Sequence, residues 1–182
     1  MVSRPARVTP VPPPEVKKIK VCLLGDPMVG KSAFAKVFAQ EEFPENYAAT
    51  VGSDFFMRNM EVGSANFQFN LWDLSGDPAF TEVRNEFFKE SHALLLFYDI
   101  TKRRSFENLN NWMGEASRAE GGANLPVYVV GTRLDLDDRR AVPASDAEKW
   151  TKQKGYVGYF DVSAKENINI NTLFRELATS LP

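Results

Sequence analysis

The chain has one cysteine and one histidine in 182 residues, and neither sign of charge is in large excess. With Cys22 as the only thiol, no internal disulfide can form, which fits a reducing compartment and a cytoplasmic location. Cys22 lies in the apolar run "IKVCLLG", so a buried strand residue is expected there rather than a redox or metal role. The lone His92 stands between a helical stretch and an apolar strand, where helix capping or simple exposure outweighs catalysis. No apolar run reaches the ~18 residues of a membrane span, and no charged-then-apolar leader is present. A net charge of −2 argues against a general nucleic-acid or anionic-membrane binder. Val2 after the initiator and the cysteine-free "ATSLP" give the expectation of no direct lipid anchor.

What is present is a core. Hydrophobic residues at 43% and aromatics at 12% suit one packed domain without staples. Residues 1–15 hold five of the eleven prolines and show no periodicity. The expectation is a disordered proline-rich tail over 1–17, a floppy leader rather than a docking ligand, and a single domain over 18–182.

Along that domain "KKIKVCLLGD" reads as a buried strand ending at Gly25, and "GKSAFAKVFAQEEF" as a helix with Phe34, Val37 and Phe38 on one face. "TVGSDFFMRNMEV" and "ANFQFNLWDLSG" flank the turn Gly63-Ser64, which predicts an antiparallel hairpin. After the helical "FTEVRNEFFKES" the pattern alternates. Strands "HALLLFYDI", "PVYVVGT" and "GYFDVSA" are each followed by a helix: "SFENLNNWMGEAS", "ASDAEKWTKQKG" and "NINTLFRELATSL". Such alternation, with nearly continuous apolar strands, predicts an α/β fold with a mostly parallel sheet covered on both faces.

Gly25, Gly30, Lys31 and Ser32 match the phosphate-loop pattern GxxxxGK[ST], after a strand and opening a helix. Backbone amides of Met28, Val29, Gly30, Lys31 and Ser32, with Ala33 behind them, are suited to phosphate oxygens; Lys31 supplies charge and Ser32 a hydroxyl for Mg²⁺. Pro27 inside the loop has no N–H and a fixed φ, yet the amides after it remain, so the cradle is expected to survive. Asp73, on a strand terminus, is suited to holding Mg²⁺ through water, and Gly76 lets an amide approach a γ-phosphate. An Asp before a turn is ordinarily only a cap. "VVGTRLD" places Asp135 beyond a strand, where a carboxylate can accept from guanine N1–H and the 2-amine, and "VSAK" can offer the Ala164 amide to guanine O6.

The series "GDPMVGKS", "FPENYAATVG", "WDLSG", "TRLD" and "SAK" resembles the guanine-nucleotide motifs of the Ras superfamily of small GTPases, over about residues 18–180. "YAATVGSDF" and "LWDLSG" look most like the Rab branch, and "DPAFTEVRNEFFKE" is similar to its Rab-like RJL group, whose members often carry a J domain; no "HPD" occurs here. The resemblance implies the P-loop NTPase small-GTPase fold: a six-stranded, mostly parallel sheet with one antiparallel edge strand and about five helices on both faces. It implies GTP or GDP with Mg²⁺ as ligands, at Thr132, Arg133, Asp135, Ser163, Ala164 and Lys165 for the base. Phe43 would pack against guanine, Tyr47 would cover the phosphates, and Thr50 would join Ser32 and Asp73 at the metal. Phe55, Trp72 and Phe87 fall where Rab-type proteins place an effector-binding aromatic triad, although Trp72 reads equally as a core-edge aromatic.

Three positions depart from the family pattern. Thr132 replaces the usual Asn, as in the Rho branch, and Arg133 replaces a Lys whose stem lies along the base; a retained stem keeps stacking possible. Asp77 stands where a Gln usually orients the attacking water. Its charge near an anionic γ-phosphate would cost ~1 to 4 kcal/mol at about 4 Å. Part of that in the transition state slows hydrolysis by about tenfold. General-base action by the carboxylate is the second reading.

The sequence thus predicts a monomeric Rab-like switch with slow GTPase activity, Lys31, Gly76 and Asp77 at the reacting phosphate, and effectors, exchange factors and activating proteins as partners. The alternative is a constitutively GTP-bound module without hydrolysis. A nucleoside kinase or ATPase fails on Asp135 and "SAK". Association with a cilium, flagellum or basal body follows from the subgroup resemblance alone.

Overall fold

The computed structural model describes residues 15–181. The expected tail therefore lies outside the described residues up to position 14. Strand β1 spans Val16–Gly25, so regular structure begins just before the expected boundary at 18. It alternates strictly: Val21 and Leu23 enter the core on one face, Cys22 and Leu24 on the other, all fully buried. The Cys22 thiol lies against the Phe87 carbonyl and the Ser91 hydroxyl at 3.4 and 3.3 Å, and burial pushes its pKa up to about 11.

Helix α1, Lys31–Phe38, follows the phosphate loop. It ends five residues before the expected limit. Gln40 takes a left-handed φ of 65°, with Gln40 N–H bonded to the Val37 carbonyl and Glu41 N–H to that of Lys36. This pair of bonds is the Schellman stop, here without glycine. Residues 39–52 then run as irregular chain to β2, Ser53–Val62, which pairs antiparallel with β3, Ala65–Leu74. Val62 opposes Ala65 across the expected two-residue turn, with Gly63 at φ 62°.

After β3 come a 3₁₀ turn at Pro78–Phe80 and α2, Thr81–Phe87. Strand β4, Ala93–Asp99, is buried at every residue. The helix expected over 105–117 is divided at Asn108 into α3, Arg103–Glu107, and α4, Leu109–Arg118, which makes six α-helices among the described residues where about five were expected. Then follow β5, Val127–Thr132, a 3₁₀ turn at Leu134–Arg139, α5, Ala144–Gln153, β6, Gly158–Asp161, and α6, Ile170–Ser180.

The sheet order is β2-β3-β1-β4-β5-β6, with β2 the one antiparallel strand. Both faces are covered, as the apolar strands require. On one face α1 and α6 bring Phe34, Phe38 and Phe174 onto Phe69 and Phe97, with the Phe38 and Phe174 rings stacked. On the other, α3, α4 and α5 bring Phe106, Leu109, Trp112 and Ala147 onto Leu94, Leu96 and Val129. The strand order turns outward from β1 in both directions, so the carboxyl ends of β1, β4 and β5 open a crevice at the switch point, where such sheets take ligands.

His92 is exposed and does not cap a helix. Its Nδ1 accepts from Lys20 N–H at 3.0 Å and its own N–H bonds the Lys20 carbonyl, extending the ladder between β1 and β4. The charge cluster at 135–140, expected as a solvated loop, is partly ordered. Arg140 bonds Asp137 at 2.6 Å and Asp161 at 2.7 Å.

Candidate functional site

A cleft of about 690 Å³ lies over the carboxyl ends of the strands. Most of the residues singled out from sequence line it: Met28, Gly30, Lys31, Ser32 and Ala33 from the loop and α1; Phe43, Tyr47 and Thr50 from the chain before β2; Gly76 and Asp77 after β3; Thr132, Arg133, Asp135, Ala164 and Lys165 from the β5 and β6 ends. Gly25, Val29, Asp73 and Ser163 do not line it. They are buried behind it.

Gly25 ends β1 where a Cβ would collide with the Phe97 carbonyl oxygen, so only glycine lets the loop leave the sheet here. Lys31 is 6% exposed, with Nζ bonded to the Gly25 and Asp26 carbonyls at 2.8 Å each. Burial pulls its pKa down to about 8, against the opposing pull of Asp73 and Asp26. A cation held this dry at a helix N-terminus is matched to an anion.

Ser32 Oγ, Thr50 Oγ1 and Asp73 Oδ2 converge: Ser32 donates to Asp73 at 2.5 Å, Thr50 donates to it at 3.2 Å, and the two hydroxyls are 3.0 Å apart. Burial raises the Asp73 pKa although Lys31 and both hydroxyls lower it. Its other oxygen, Oδ1, is buried without a hydrogen-bond partner. An orphaned carboxylate oxygen costs free energy unless something fills the place. Two hydroxyls and one carboxylate are hard oxygen donors, and the set fits Mg²⁺, which binds few protein groups and keeps several waters.

At the other end Asp135 accepts from Ser163 Oγ at 2.7 Å, and Ser163 Oγ in turn accepts from Glu166 N–H at 3.1 Å. Ser163 is fully buried, so the carboxylate is steered by a rigid partner beside Ala164. Thr132 lines the cleft with its hydroxyl engaged by backbone. Its hydroxyl donates toward the Val29 carbonyl at 2.5 Å and lies 3.1 Å from that of Tyr98. Arg133 also lines the cleft, and its guanidinium, beyond the stem expected along the base, is held by the fold. Its guanidinium is bonded to Asp99 Oδ2 at 2.6 Å and to the Met28 carbonyl at 2.8 Å.

Asp77 is exposed, and its Oδ1 accepts from Ala79 N–H at 2.9 Å, capping the 3₁₀ turn. Beneath it Arg84, 1% exposed, donates to the Ser75 and Asp77 carbonyls at 2.7 and 2.6 Å and makes a two-pronged pair with Glu115 at 2.7 and 3.0 Å. Its guanidinium lies 5.0 Å from the Trp112 ring, whose N–H, with the Asn108 amide, is donated to Asp26. Residues 75–81 are thereby tied to α4 and to the phosphate loop. The Pro27 ring closes the gap: a Cβ on Gly76 would sit 2.5 Å from Pro27 N.

Sequence reasoning missed Asp26, Asp99, Arg84 and Glu115 as parts of this assembly. For Asp99 a signal existed, a carboxylate closing an otherwise apolar strand in "ALLLFYD". For Arg84 and Glu115 none did. On the outer face Phe55, Trp72 and Phe87 do form a contiguous group, with centroids 4.8 and 4.7 Å apart. Phe55 is 49% exposed, whereas Trp72 and Phe87 are half-buried against the core, so Trp72 has both of the characters open to it.

Sheet order, crossovers and the cleft at the strand ends define the class as a small-GTPase fold. The chain belongs to the Ras family, whose model matches residues 20–182. It is 34% identical to DnaJ homolog subfamily C member 27 of Danio rerio over 168 residues, 90% of this chain and 61% of that relative. It is likewise 34% identical to Ras-related protein Rab-31 of Mus musculus over 167 residues (92% and 85%), and 33% identical to Ras-related protein Rab7 of Pisum sativum over 165 (88% and 80%). The similarity to Rab proteins and to a DnaJ homologue together supports the Rab-like, RJL-like branch. No described helix is long and apolar enough to cross a membrane.

Proposed function

We propose that this chain is a guanine-nucleotide-dependent switch of the Rab-like type, binding GTP and GDP with Mg²⁺ and hydrolysing GTP slowly. The observation that carries the reading is the convergence on one cleft of a dry lysine at a helix N-terminus, an oxygen triad with one orphaned atom, and Asp135 beside the Ala164 backbone. The loop amides and Lys31 bind and orient the phosphates. Asp135 accepts from N1–H and the 2-amine, a donor pair that adenine lacks. Ser32, Thr50 and Asp73 would hold Mg²⁺, which when bound neutralises phosphate charge.

On this reading Thr50 and Gly76 sense the γ-phosphate, and its loss releases the neighbouring segments, changing the surface around Phe55, Trp72 and Phe87 that effectors would read. Because Arg84 ties residues 75–81 to α4, the larger excursion falls on 43–57, where Phe43, Tyr47 and Val51 are already exposed. Exchange and activating proteins would complete the cycle, in the cytoplasm.

Hydrolysis is slow on this reading because Asp77 offers water no donor, carries negative charge, and spends an oxygen on the turn it caps. Asp77→Gln is expected to raise single-turnover GTP hydrolysis about tenfold, the rate counterpart of ~1.4 kcal/mol. It also removes a cap worth about 1 kcal/mol, lowering the melting temperature slightly. The measurement is identification of the copurified nucleotide, then single-turnover hydrolysis in Mg²⁺ for both proteins. Copurified GDP with brisk wild-type turnover would overturn the slow-switch reading. The second reading, a module without hydrolysis, draws on the Pro27 ring packed against Gly76 and predicts retained GTP that Asp77→Gln leaves uncleaved.

A further inference from the structure

The two segments that flank the phosphate end of the cleft are held in opposite ways. Among the described residues the run 43–51 makes no backbone–backbone hydrogen bond. Its hydrogen-bonded tie to the fold is the Thr50 hydroxyl, 3.0 Å from that of Ser32 and 3.2 Å from the Asp73 carboxylate, inside the proposed metal site. Residues 75–91 are held by groups outside the cleft. We infer that α2 and its flanks keep one conformation in both nucleotide states, so that the switch has a single moving arm, 43–57. This inference rests on the switch reading above and adds where its motion stops.

At the amino end the anchor is Arg84, fixed by its two-pronged pair with Glu115 on α4 while it donates to the Ser75 and Asp77 carbonyls and to the Thr81 hydroxyl. Thr81 in turn donates to the Pro78 carbonyl at 2.8 Å. At the carboxyl end, carbonyls that a last helical turn ordinarily leaves to water are taken by side chains. The Phe87 carbonyl accepts from Ser91 Oγ at 2.8 Å, with Cys22 Sγ 3.4 Å away. The Lys89 carbonyl accepts from Lys20 Nζ at 2.6 Å, a cation at the negative end of the helix. Phe88 between them is fully buried. Gly121, in the connection from α4 to β5, packs so close that a Cβ there would lie 3.0 Å from the Phe88 carbonyl oxygen and from Lys89 Cα.

Glu115, Lys20, Cys22 and Gly121 stand on α4, β1 and a connection, and none of them lines the nucleotide cleft. Gaining or losing a γ-phosphate therefore neither makes nor breaks these bonds. For 43–51 the reverse holds, because the groups that hold Thr50 are those that would hold Mg²⁺. A ligand shifts a conformational equilibrium only through contacts that differ between the two states. The contact that 75–91 offers the γ-phosphate is the Gly76 amide, and Gly76 is already backed by Pro27, whose nitrogen would lie 2.5 Å from a Cβ at that position. In the aromatic group, Phe55 lies within the moving arm and Phe87 belongs to the fixed part.

The test is amide hydrogen–deuterium exchange of the protein loaded with Mg²⁺ and either GDP or the slowly hydrolysed analogue GTPγS. Between the two states, peptides from 43–57 are expected to change exchange rate by about tenfold or more, and peptides from 78–91 by less than about twofold. Arg84→Lys keeps the charge, but one ammonium cannot serve Glu115 and both carbonyls in the geometry of the fork. It is expected to give 78–87 a nucleotide dependence of about tenfold. Lys20→Met keeps most of the stem and is expected to do the same for 86–91 alone, and it carries the test if Arg84→Lys melts too low to study. Wild-type 78–91 responding to nucleotide as strongly as 43–57 overturns the fixed α2. Loosening of 78–91 in the folded variants that is equal in both nucleotide states marks anchors that are merely structural, and overturns it too. A chain that binds both nucleotides and changes in neither segment instead removes the switch reading, and the single arm with it.

Discussion

Asp135→Asn is expected to weaken GTP and GDP binding by about 10² to 10⁴-fold while the folded structure persists. A hydrogen bond to a charged group contributes about 1.5–3 kcal/mol net, and on the proposed base assignment the carboxylate would accept two from guanine. Two such bonds correspond to the stated range at 1.4 kcal/mol per factor of ten. Asn keeps one acceptor but would turn an NH₂ toward the guanine 2-amine, so a donor meets a donor. Ser163, buried and bonded to Asp135 at 2.7 Å, prevents the side chain from swinging clear of the conflict. Xanthine carries an oxygen in place of that amine, so the same substitution is expected to raise affinity for XTP. Titration of wild type and variant with both nucleotides measures the exchange; an unchanged GTP affinity would sink the base assignment.

Arg84→Ala is expected to destabilise the fold by about 3–5 kcal/mol, the cost of leaving the partner of a buried ion pair uncompensated. For a domain of this size that lowers the melting temperature by on the order of 10 °C. The guanidinium serves the Glu115 carboxylate, two backbone carbonyls and the Thr81 hydroxyl at once, at 2.6–3.0 Å. Alanine leaves all of them without that donor. Arg84→Met fills more of the space, and with Glu115→Leu it is expected to recover part of the stability, since it removes the uncompensated Glu115 charge while the Ser75 and Asp77 carbonyls stay without that donor. The pair is therefore better understood as fixing one position of residues 75–81 than as a net source of stability. Thermal melts of the three variants decide this, and a double variant as unstable as Arg84→Ala would refute it.

The parts of the molecule that could be read from sequence are those encoded by period and motif. The apolar runs of β1 and β4 and the Gly63-Ser64 turn announce their elements, because a strand covered on both faces has an environment that hardly varies along it. The phosphate loop and Asp135 could be read because local spacing and chemistry coincide. The stop of α1 at Phe38 could not, since it depends on Gln40 adopting a left-handed φ that glycine usually supplies. Nor could the division at Asn108, whose amide is donated to Asp26, 82 residues away. Arg84 with Glu115 and Arg133 with Asp99 were invisible for the same reason. A charged residue's type shows in the sequence, but its partner across the fold does not. Asp77 is the mixed case: its position was legible, its duty as a turn cap was not.

Cys22 has a consequence for how the protein can be observed. Its thiol is fully buried, with a pKa raised to about 11, so at neutral pH it presents almost no thiolate to an alkylating dye. The natural chain is in effect a thiol-silent background. A single Val51→Cys, at a residue 78% exposed in the segment between α1 and β2, would take one fluorophore at one address without any native residue having to be removed first. The nucleotide-driven movement proposed for that segment would then be read as a change in emission in a cuvette.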